Sequence, residues 1–130
     1  MGGYAALLLG TLLSVNTVIA FCPKTFISPA MRFFSQDWSN WRQVWKLFWL
    51  PSAQRKYFDL KSLLKRKSQG THYHIYYSTQ KRIDKLHVLR IKEYQNITLH
   101  SYNIGGHGLV KHLRNTHKLR RILQKHIQQT

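Results

Sequence analysis

Histidine and cysteine are the residues of this chain with the widest chemical repertoire. There are eight histidines and one cysteine, Cys22, so neither an intramolecular disulfide nor a zinc site built from several cysteines is available. His112 and His117 have the spacing of the second half of a classical zinc finger, but the preceding cysteines are missing. His72 and His74 would share one face of a strand. We predict no metal and no cofactor, and interpret the histidines as a supplement to a basic surface at low pH.

The acidic residues give little support to catalysis. The glycine-rich segment 105–108 lacks the lysine and hydroxyl residues of a P-loop, and we interpret it as a linker. Acid–base catalysis commonly uses two carboxyl groups held close together, and no such pair is evident in the sequence. We therefore predict that the protein is not an enzyme and has no catalytic residues. The four acids are Asp37, Asp59, Asp84 and Glu93.

Positive charge dominates the composition. The 130 residues include 21 Lys and Arg against four acids, which gives a formal net charge of +17. Such an excess predicts a polyanionic partner, either RNA or an anionic lipid such as cardiolipin, because opposite charge relieves the self-repulsion of the chain. The residues expected to contact this partner are Arg55, Lys56, Lys65, Arg66, Lys67, Lys118, Arg120, Arg121 and Lys125.

The first 22 residues carry no charge and are strongly apolar. Residues 2–21 are long enough to cross the roughly 30 Å hydrocarbon core as one helix, so the segment 1–22 is predicted to be a transmembrane anchor. The alternative is a signal peptide cleaved after Ala20, because small residues stand where signal peptidase requires them. An uncleaved anchor would keep the basic remainder on the cytoplasmic or matrix side.

All four tryptophans lie in the segment 23–51, after a short connector. Between residues 31 and 50, aromatic residues recur at steps of three and four, which predicts a single amphipathic helix with its rings on one face. A tryptophan face of this kind is typical of the membrane–water interface, and the alternative is packing against protein. The predicted membrane-interface residues are Phe34, Trp38, Trp41, Trp45 and Trp49.

The remaining segment, 52–130, predicts a small basic α+β region. A basic amphipathic helix is expected at 52–67, and another at 109–129. Three segments between them have strand composition, although the middle one has a helical turn as its alternative. The fold class is therefore α+β, with a transmembrane helix, an aromatic helix, a basic helix, a small antiparallel hairpin or sheet and a C-terminal basic helix. The strands are predicted at 71–79, 86–94 and 97–104.

Together, these features predict a non-enzymatic, membrane-anchored small subunit of a large assembly. Its partners would be anionic lipids, other protein subunits and ribosomal RNA. The expected location is the mitochondrial inner membrane with the basic body in the matrix, and the alternatives are the ER membrane or secretion. The body resembles small organelle ribosomal proteins in being basic, aromatic and poor in acids.

Two other functions remain open at this point. One is an RNA-binding subunit of an organelle ribosome, and the other is a secreted cationic membrane-active protein released by signal cleavage. RNA contact would favour the ribosomal subunit. A leader embedded in lipid would favour an accessory subunit of a membrane complex.

Overall fold

A small parallel sheet forms the centre of the domain. In the computed structural model its strands lie in the order β1–β2–β3, and both neighbouring pairs are parallel. The strands are β1 (Thr17–Phe21), β2 (His72–Ser78) and β3 (Ile97–Tyr102). The structure describes residues 2–67, 70–104 and 108–128.

Helices cover both faces of this sheet. α1, α4 and α5 pack on one face around a core that includes Leu7, Leu64 and Val88. α6 and α7 contribute to a second cluster, which contains Tyr76 and Leu113. The helices are α1 (Gly2–Leu12), α2 (Pro29–Phe34), α3 (Trp41–Trp49), α4 (Lys61–Lys67), α5 (Arg82–Leu89), α6 (Gly108–Asn115) and α7 (Lys118–Ile127), with a 3-10 turn at Arg55–Tyr57.

The α+β composition agrees with the sequence prediction, but the antiparallel hairpin is wrong. The segment predicted as the middle strand, 86–94, begins with the last four residues of α5 and continues as a turn, which fits the helical alternative. The helix α5 and the turn after it return the chain to the end of the sheet at which β2 starts, so β3 runs parallel to β2. His87 and Val88 are buried on α5, and Ile91 is buried in the turn that follows it. Their helical spacing explains why apolar and polar residues do not alternate strictly in this segment.

The apolar leader is folded into the domain. It forms α1, a turn at exposed Ser14 and Asn16, and then β1. Leu7 is completely buried, and the Tyr4 hydroxyl donates a hydrogen bond to the carbonyl of Tyr57. Within residues 2–67, 70–104 and 108–128, no helix combines the length and apolarity needed to cross a membrane. The predicted transmembrane helix is therefore wrong, and the membrane placement that depended on it loses its support.

Close packing, rather than lipid, explains the small residues of the leader. Gly10 lies where α1 crosses β1, and a Cβ atom added there would stand 2.3 Å from Cγ2 of Val18. Gly3 lies at the carboxyl end of β1, where an added Cβ would stand 2.7 Å from Cα of Pro23. Both positions therefore need glycine for the helix to approach the strand.

The two long basic helices predicted from the sequence are each interrupted. In the first, a 3-10 turn is followed by the short helix α4. In the second, α6 and α7 are separated at Thr116 and His117, and His117 has a left-handed backbone with φ of 57°. The predicted linker at 105–108 lies outside the described residues except for Gly108, which begins α6.

Candidate functional site

The predicted polyanion-contact residues fall into two groups on opposite sides of the sheet. The first group lies on the 3-10 turn and α4, beside the core formed with α1. The second group lies on α7, which packs on the other face. The sequence did not separate these groups because it does not reveal which face each helix covers. The first group is Arg55, Lys56, Lys65, Arg66 and Lys67, and the second is Lys118, Arg120, Arg121 and Lys125.

α6 and α7 both carry exposed basic side chains, which are here called the α6–α7 basic surface. It also includes Lys111 and Arg114 of α6, which were not among the predicted contact residues. No acidic residue follows Glu93 in the sequence, so the helix pair contains no carboxylate of its own. The ion pairs found in the described part of the chain all lie elsewhere. The α6–α7 basic surface consists of the exposed side chains of Lys111, Arg114, Lys118, Arg120, Arg121 and Lys125.

The inner side of the helix pair contacts a cluster of histidines on the sheet. His74 Nδ1 lies 3.3 Å from His100 Nε2, and the ring of His126 lies 4.0 Å from that of His74. Tyr76 stacks on His100 and its hydroxyl lies 3.2 Å from His126 Nε2. Among the residues that the structure describes, no group of His, Cys, Asp and Glu has an arrangement suited to holding a metal ion.

These histidines are held in the neutral form. Burial, together with the neighbouring charges of His126, His100 and His72, lowers the pKa of His74 to about 4. Burial, assisted by Lys125, also lowers the pKa of His100 and His126. The expectation that the histidines supplement the surface charge therefore does not apply to this cluster, because packing opposes their protonation.

The predicted interface aromatics belong to one row of contacting rings, in which Phe33, which was not predicted, connects Phe34 to Trp38. The single helix expected at 31–50 is wrong, because the chain leaves the helix after Phe34 and re-enters it at Trp41. The ring centroids of Trp38 and Trp41 are 5.4 Å apart, and those of Trp41 and Trp45 are 5.9 Å apart. Trp45 stacks on Trp49 with a centroid distance of 6.4 Å. The row includes Phe34 (83% exposed), Trp38 (56%), Trp41, Trp45 (38%) and Trp49 (71%).

Buried charge explains why that helix is interrupted. The turn between α2 and α3 carries Asp37 inward, where its carboxylate lies 2.5 Å from Lys24 Nζ and 3.3 Å from Arg32 Nη2. Burial alone would raise the pKa of Asp37, but the nearby His87 ring and the donors Lys24 and Ser39 hold it well below its usual range. His87 Nε2 is 3.9 Å away, too far for a hydrogen bond, so its influence is electrostatic.

A cleft of about 950 Å³ opens at the carboxyl edge of the sheet. Its floor is the end of β1 and Cys22, and one wall is the loop that leads from β2 into α5. The N-terminal residues of α1, the turn at 36–40 and the start of α6 complete it. Ligands of open parallel α/β sheets characteristically bind outside the carboxyl ends of the strands. The sequence analysis missed this cleft because it predicted an antiparallel arrangement.

Asp84 and Cys22 are the chemically distinctive residues of the cleft. Oδ2 of Asp84 is buried and has no hydrogen-bond partner. The pKa of the Cys22 thiol is raised to about 12, by burial and then by the nearby negative charge of Asp84. A thiol held protonated is a poor nucleophile.

Comparisons with protein-family models, curated proteins and solved structures find no match for this chain.

Proposed function

We propose that this protein is a small, non-enzymatic, RNA-binding subunit of a larger assembly. The observation that carries the proposal is the α6–α7 basic surface, where exposed Lys and Arg side chains stand on two helices that contain no acid. Cations without carboxylate partners are available to phosphate, and the release of counterions from the nucleic acid drives such binding. The net charge of +17 attracts the polyanion over a longer range.

RNA is favoured over anionic lipid by the position of the leader. A leader embedded in lipid was the feature that would have favoured a membrane complex, and α1 instead packs its side chains against the sheet. The exposed aromatic row supports membership in an assembly, since large exposed apolar patches mark contact surfaces. Phe34, Trp38, Trp41, Trp45 and Trp49 remain a predicted contact surface for lipid or protein.

Charge reversal on α7 tests the proposal. In the double variant Arg120→Glu/Arg121→Glu, we expect affinity for a short single-stranded RNA to fall by about tenfold or more at moderate salt. The slope of log K against log salt concentration should become shallower by about 1.4, since two phosphate contacts are lost at about 0.7 each. Fluorescence anisotropy over a series of salt concentrations measures both quantities.

A matched control separates this surface from the general charge of the molecule. Lys85→Glu/Lys92→Glu makes the same change in net charge at two exposed residues near α5, on the other side of the sheet. This control should bind RNA much more tightly than the α7 variant. Equal weakening in the two variants would overturn the proposed surface. Loss of binding to phosphatidylglycerol vesicles without loss of RNA binding would identify lipid as the partner instead.

A further inference from the structure

The aromatic row presents large rings that the fold leaves open to solvent. Phe34 and Trp49, at its two ends, and Trp38 between them are mostly exposed. Neighbouring rings meet mostly edge to face, as those of Trp41 and Trp45 do at an interplanar angle of 85°. Edge-to-face contact is a favoured arrangement of aromatic pairs, so the rings hold one another in place. Exposed rings in fixed positions are suited to stacking with a flat partner.

Basic side chains accompany this row along the chain, without acids between them. Residues 38–58 contain no Asp and no Glu. On α3, Arg42 precedes Trp45 by three positions and Lys46 precedes Trp49 by three, and residues at this spacing are neighbours on a helix surface. Both cations are exposed, and among residues 2–67, 70–104 and 108–128 no ion pair involves either one. Their charges are therefore available to an anionic partner.

A guanidinium also lies at the end of the row formed by α3. Arg55 in the 3-10 turn lies over the ring of Phe48, with its guanidinium carbon 4.5 Å from the ring centroid. Phe48 in turn contacts Trp49, and their ring centroids are 5.6 Å apart. Arg55 was predicted from the sequence as a polyanion contact, and Trp49 as an interface aromatic. The fold brings members of the two predicted groups together in one patch.

This combination of exposed rings and unpaired cations favours one kind of partner. Single-stranded nucleic acid offers a flat base and a charged phosphate in every nucleotide, and proteins bind it with aromatic rings beside basic side chains. The sequence predicted lipid or protein for the row. The lipid prediction was tied to a leader embedded in the membrane, and that leader instead packs against the sheet. A protein partner would have to bring acidic side chains of its own.

We propose that the aromatic row and its neighbouring cations bind unpaired segments of RNA. Bases stack on Trp38, Trp45 and Trp49, and the phosphates between them contact Arg42 and Lys46. This proposal rests on the RNA-binding function proposed above, and it adds a second surface to that function. The α6–α7 basic surface contacts phosphate alone, whereas the aromatic row requires bases that are free to stack.

Intrinsic fluorescence tests the proposal without any variant, because all four tryptophans of the chain lie in this row. Saturation with a single-stranded oligouridylate of about ten nucleotides should quench the tryptophan emission. An abasic strand of the same length carries the phosphates but no bases, so at saturation it should quench the emission much less. Equal quenching by the two strands, or no quenching by the oligouridylate, would overturn the proposal.

Two substitutions of Trp49 separate ring stacking from apolar contact. Trp49→Leu retains an apolar side chain without a ring, and we expect it to bind the oligouridylate about tenfold more weakly. Trp49→Phe is the matched control, because it retains a ring, and its affinity should stay within about threefold of the unmodified protein. The dependence of affinity on salt should not change in either variant, since no phosphate contact is lost. Undiminished affinity in Trp49→Leu would overturn the proposal.

The α7 double variant distinguishes this proposal from the one on which it rests. Arg120→Glu/Arg121→Glu should weaken RNA binding but retain full quenching at saturation, because its changes lie outside the row. RNA binding without quenching would overturn the role of the row and leave the α6–α7 basic surface supported. Quenching with undiminished affinity in the α7 variant would support the row and contradict the α6–α7 basic surface. If the unmodified protein does not bind the oligouridylate, both proposals are wrong.

Discussion

At the scale of single residues, the carboxylate of Asp37 balances two cations in a region with little access to water. Its side chain is 3% exposed, and the side chain of Arg32 is completely buried. Nε and Nη1 of Arg32 have no hydrogen-bond partner, so the guanidinium depends on Asp37 and on the Ser39 carbonyl that accepts from Nη2. A buried pair of this kind is costly to break, because the surviving charge is left uncompensated.

Asp37→Asn should therefore lower the free energy of unfolding by about 3–5 kcal/mol. The matched control is Asp59→Asn, which breaks a pair with Arg90 at 2.7 Å in which the Asp59 side chain is 36% exposed. Solvent screens that pair, so the control should cost about 1 kcal/mol or less. Urea denaturation at pH 7 measures both values. Similar losses in the two variants would contradict the special role of Asp37.

The histidines that pack against the sheet predict a loss of stability in mild acid. His74 has a pKa of about 4 in the folded protein, below the ordinary histidine value of 6.5, and burial also lowers the pKa of His87. A histidine with a depressed folded pKa contributes full stability above its unfolded pKa, and this contribution is lost as pH falls towards the folded pKa. The window therefore runs from about pH 6.5 down to about pH 4.

His74→Gln should make the stability of the protein less dependent on pH across this window. We expect the difference in unfolding free energy between pH 7 and pH 4.5 to shrink by about 1–2 kcal/mol in the variant. His112→Gln, which changes a histidine on α6 outside the cluster, serves as the comparison and should leave the difference nearly unchanged. Urea denaturation at fixed ionic strength measures it. An undiminished difference in His74→Gln would exclude His74 as the source.

Residue types could be read from the sequence, but their pairing could not. The excess of cations and the scarcity of acids were evident, and they directed attention to Lys and Arg near the C-terminus. No local sequence pattern encodes the chain reversals that bring Lys24 next to Asp37. The same is true of the fold that buries the unpartnered oxygen of Asp84.

At the scale of elements, α1 illustrates how burial can imitate a membrane segment. The sequence up to Phe21 is apolar because a helix and a strand both enter the core, not because one long helix crosses lipid. Ser14 and Asn16, which weakened the predicted span, are exposed in the turn between the two elements. Hydropathy alone does not distinguish these cases, whereas a helix of 11 residues is too short to span the hydrocarbon core.

Gly10→Ala tests the packing of this element, because two effects of opposite sign compete. On an exposed helix the change would stabilise by about 1 kcal/mol. Here the new methyl group would stand 2.3 Å from Cγ2 of Val18, whose branched side chain has little freedom to move. We expect net destabilisation of about 1–3 kcal/mol, measured by urea denaturation.

The double variant Gly10→Ala/Val18→Ala provides the control for that prediction. Removing the methyl groups of Val18 also removes the clash, so the double variant should be more stable than the sum of the two single effects implies. If the changes in unfolding free energy of the two single variants simply add up in the double variant, the two side chains do not contact each other.

Element type was predictable where the local signal was strong. β2 and β3 lie within the segments predicted as strands, because these are rich in β-branched and aromatic residues. The end of α5 was predicted as a strand, because its helical spacing was interpreted as an imperfect strand alternation. The interruptions at Gln36, Asn40 and His117 place non-glycine residues in left-handed conformations, which sequence patterns seldom reveal.

At the scale of the whole molecule, the direction of the strands determines where a ligand can bind. Parallel strands bring the loops that follow them to one edge, so Cys22 and Asp84 meet although they are far apart in the chain. With the predicted antiparallel sheet, this cleft would not have formed. The α6–α7 basic surface, in contrast, depends mainly on charge, and the sequence was sufficient to suggest part of it.

The pairing of β1 with β2 also affects how the chain is made. Thr17 pairs with His72, more than fifty positions further along, so β1 has no neighbouring strand until most of the intervening chain has left the ribosome. At about 5–20 residues per second this interval lasts several seconds. Throughout it, the uncharged apolar stretch of α1 and β1 is exposed in the nascent chain and available to chaperones. The parallel pairing of β1 with β2 thus prolongs the time for which the most apolar part of this small domain stays unpaired during synthesis.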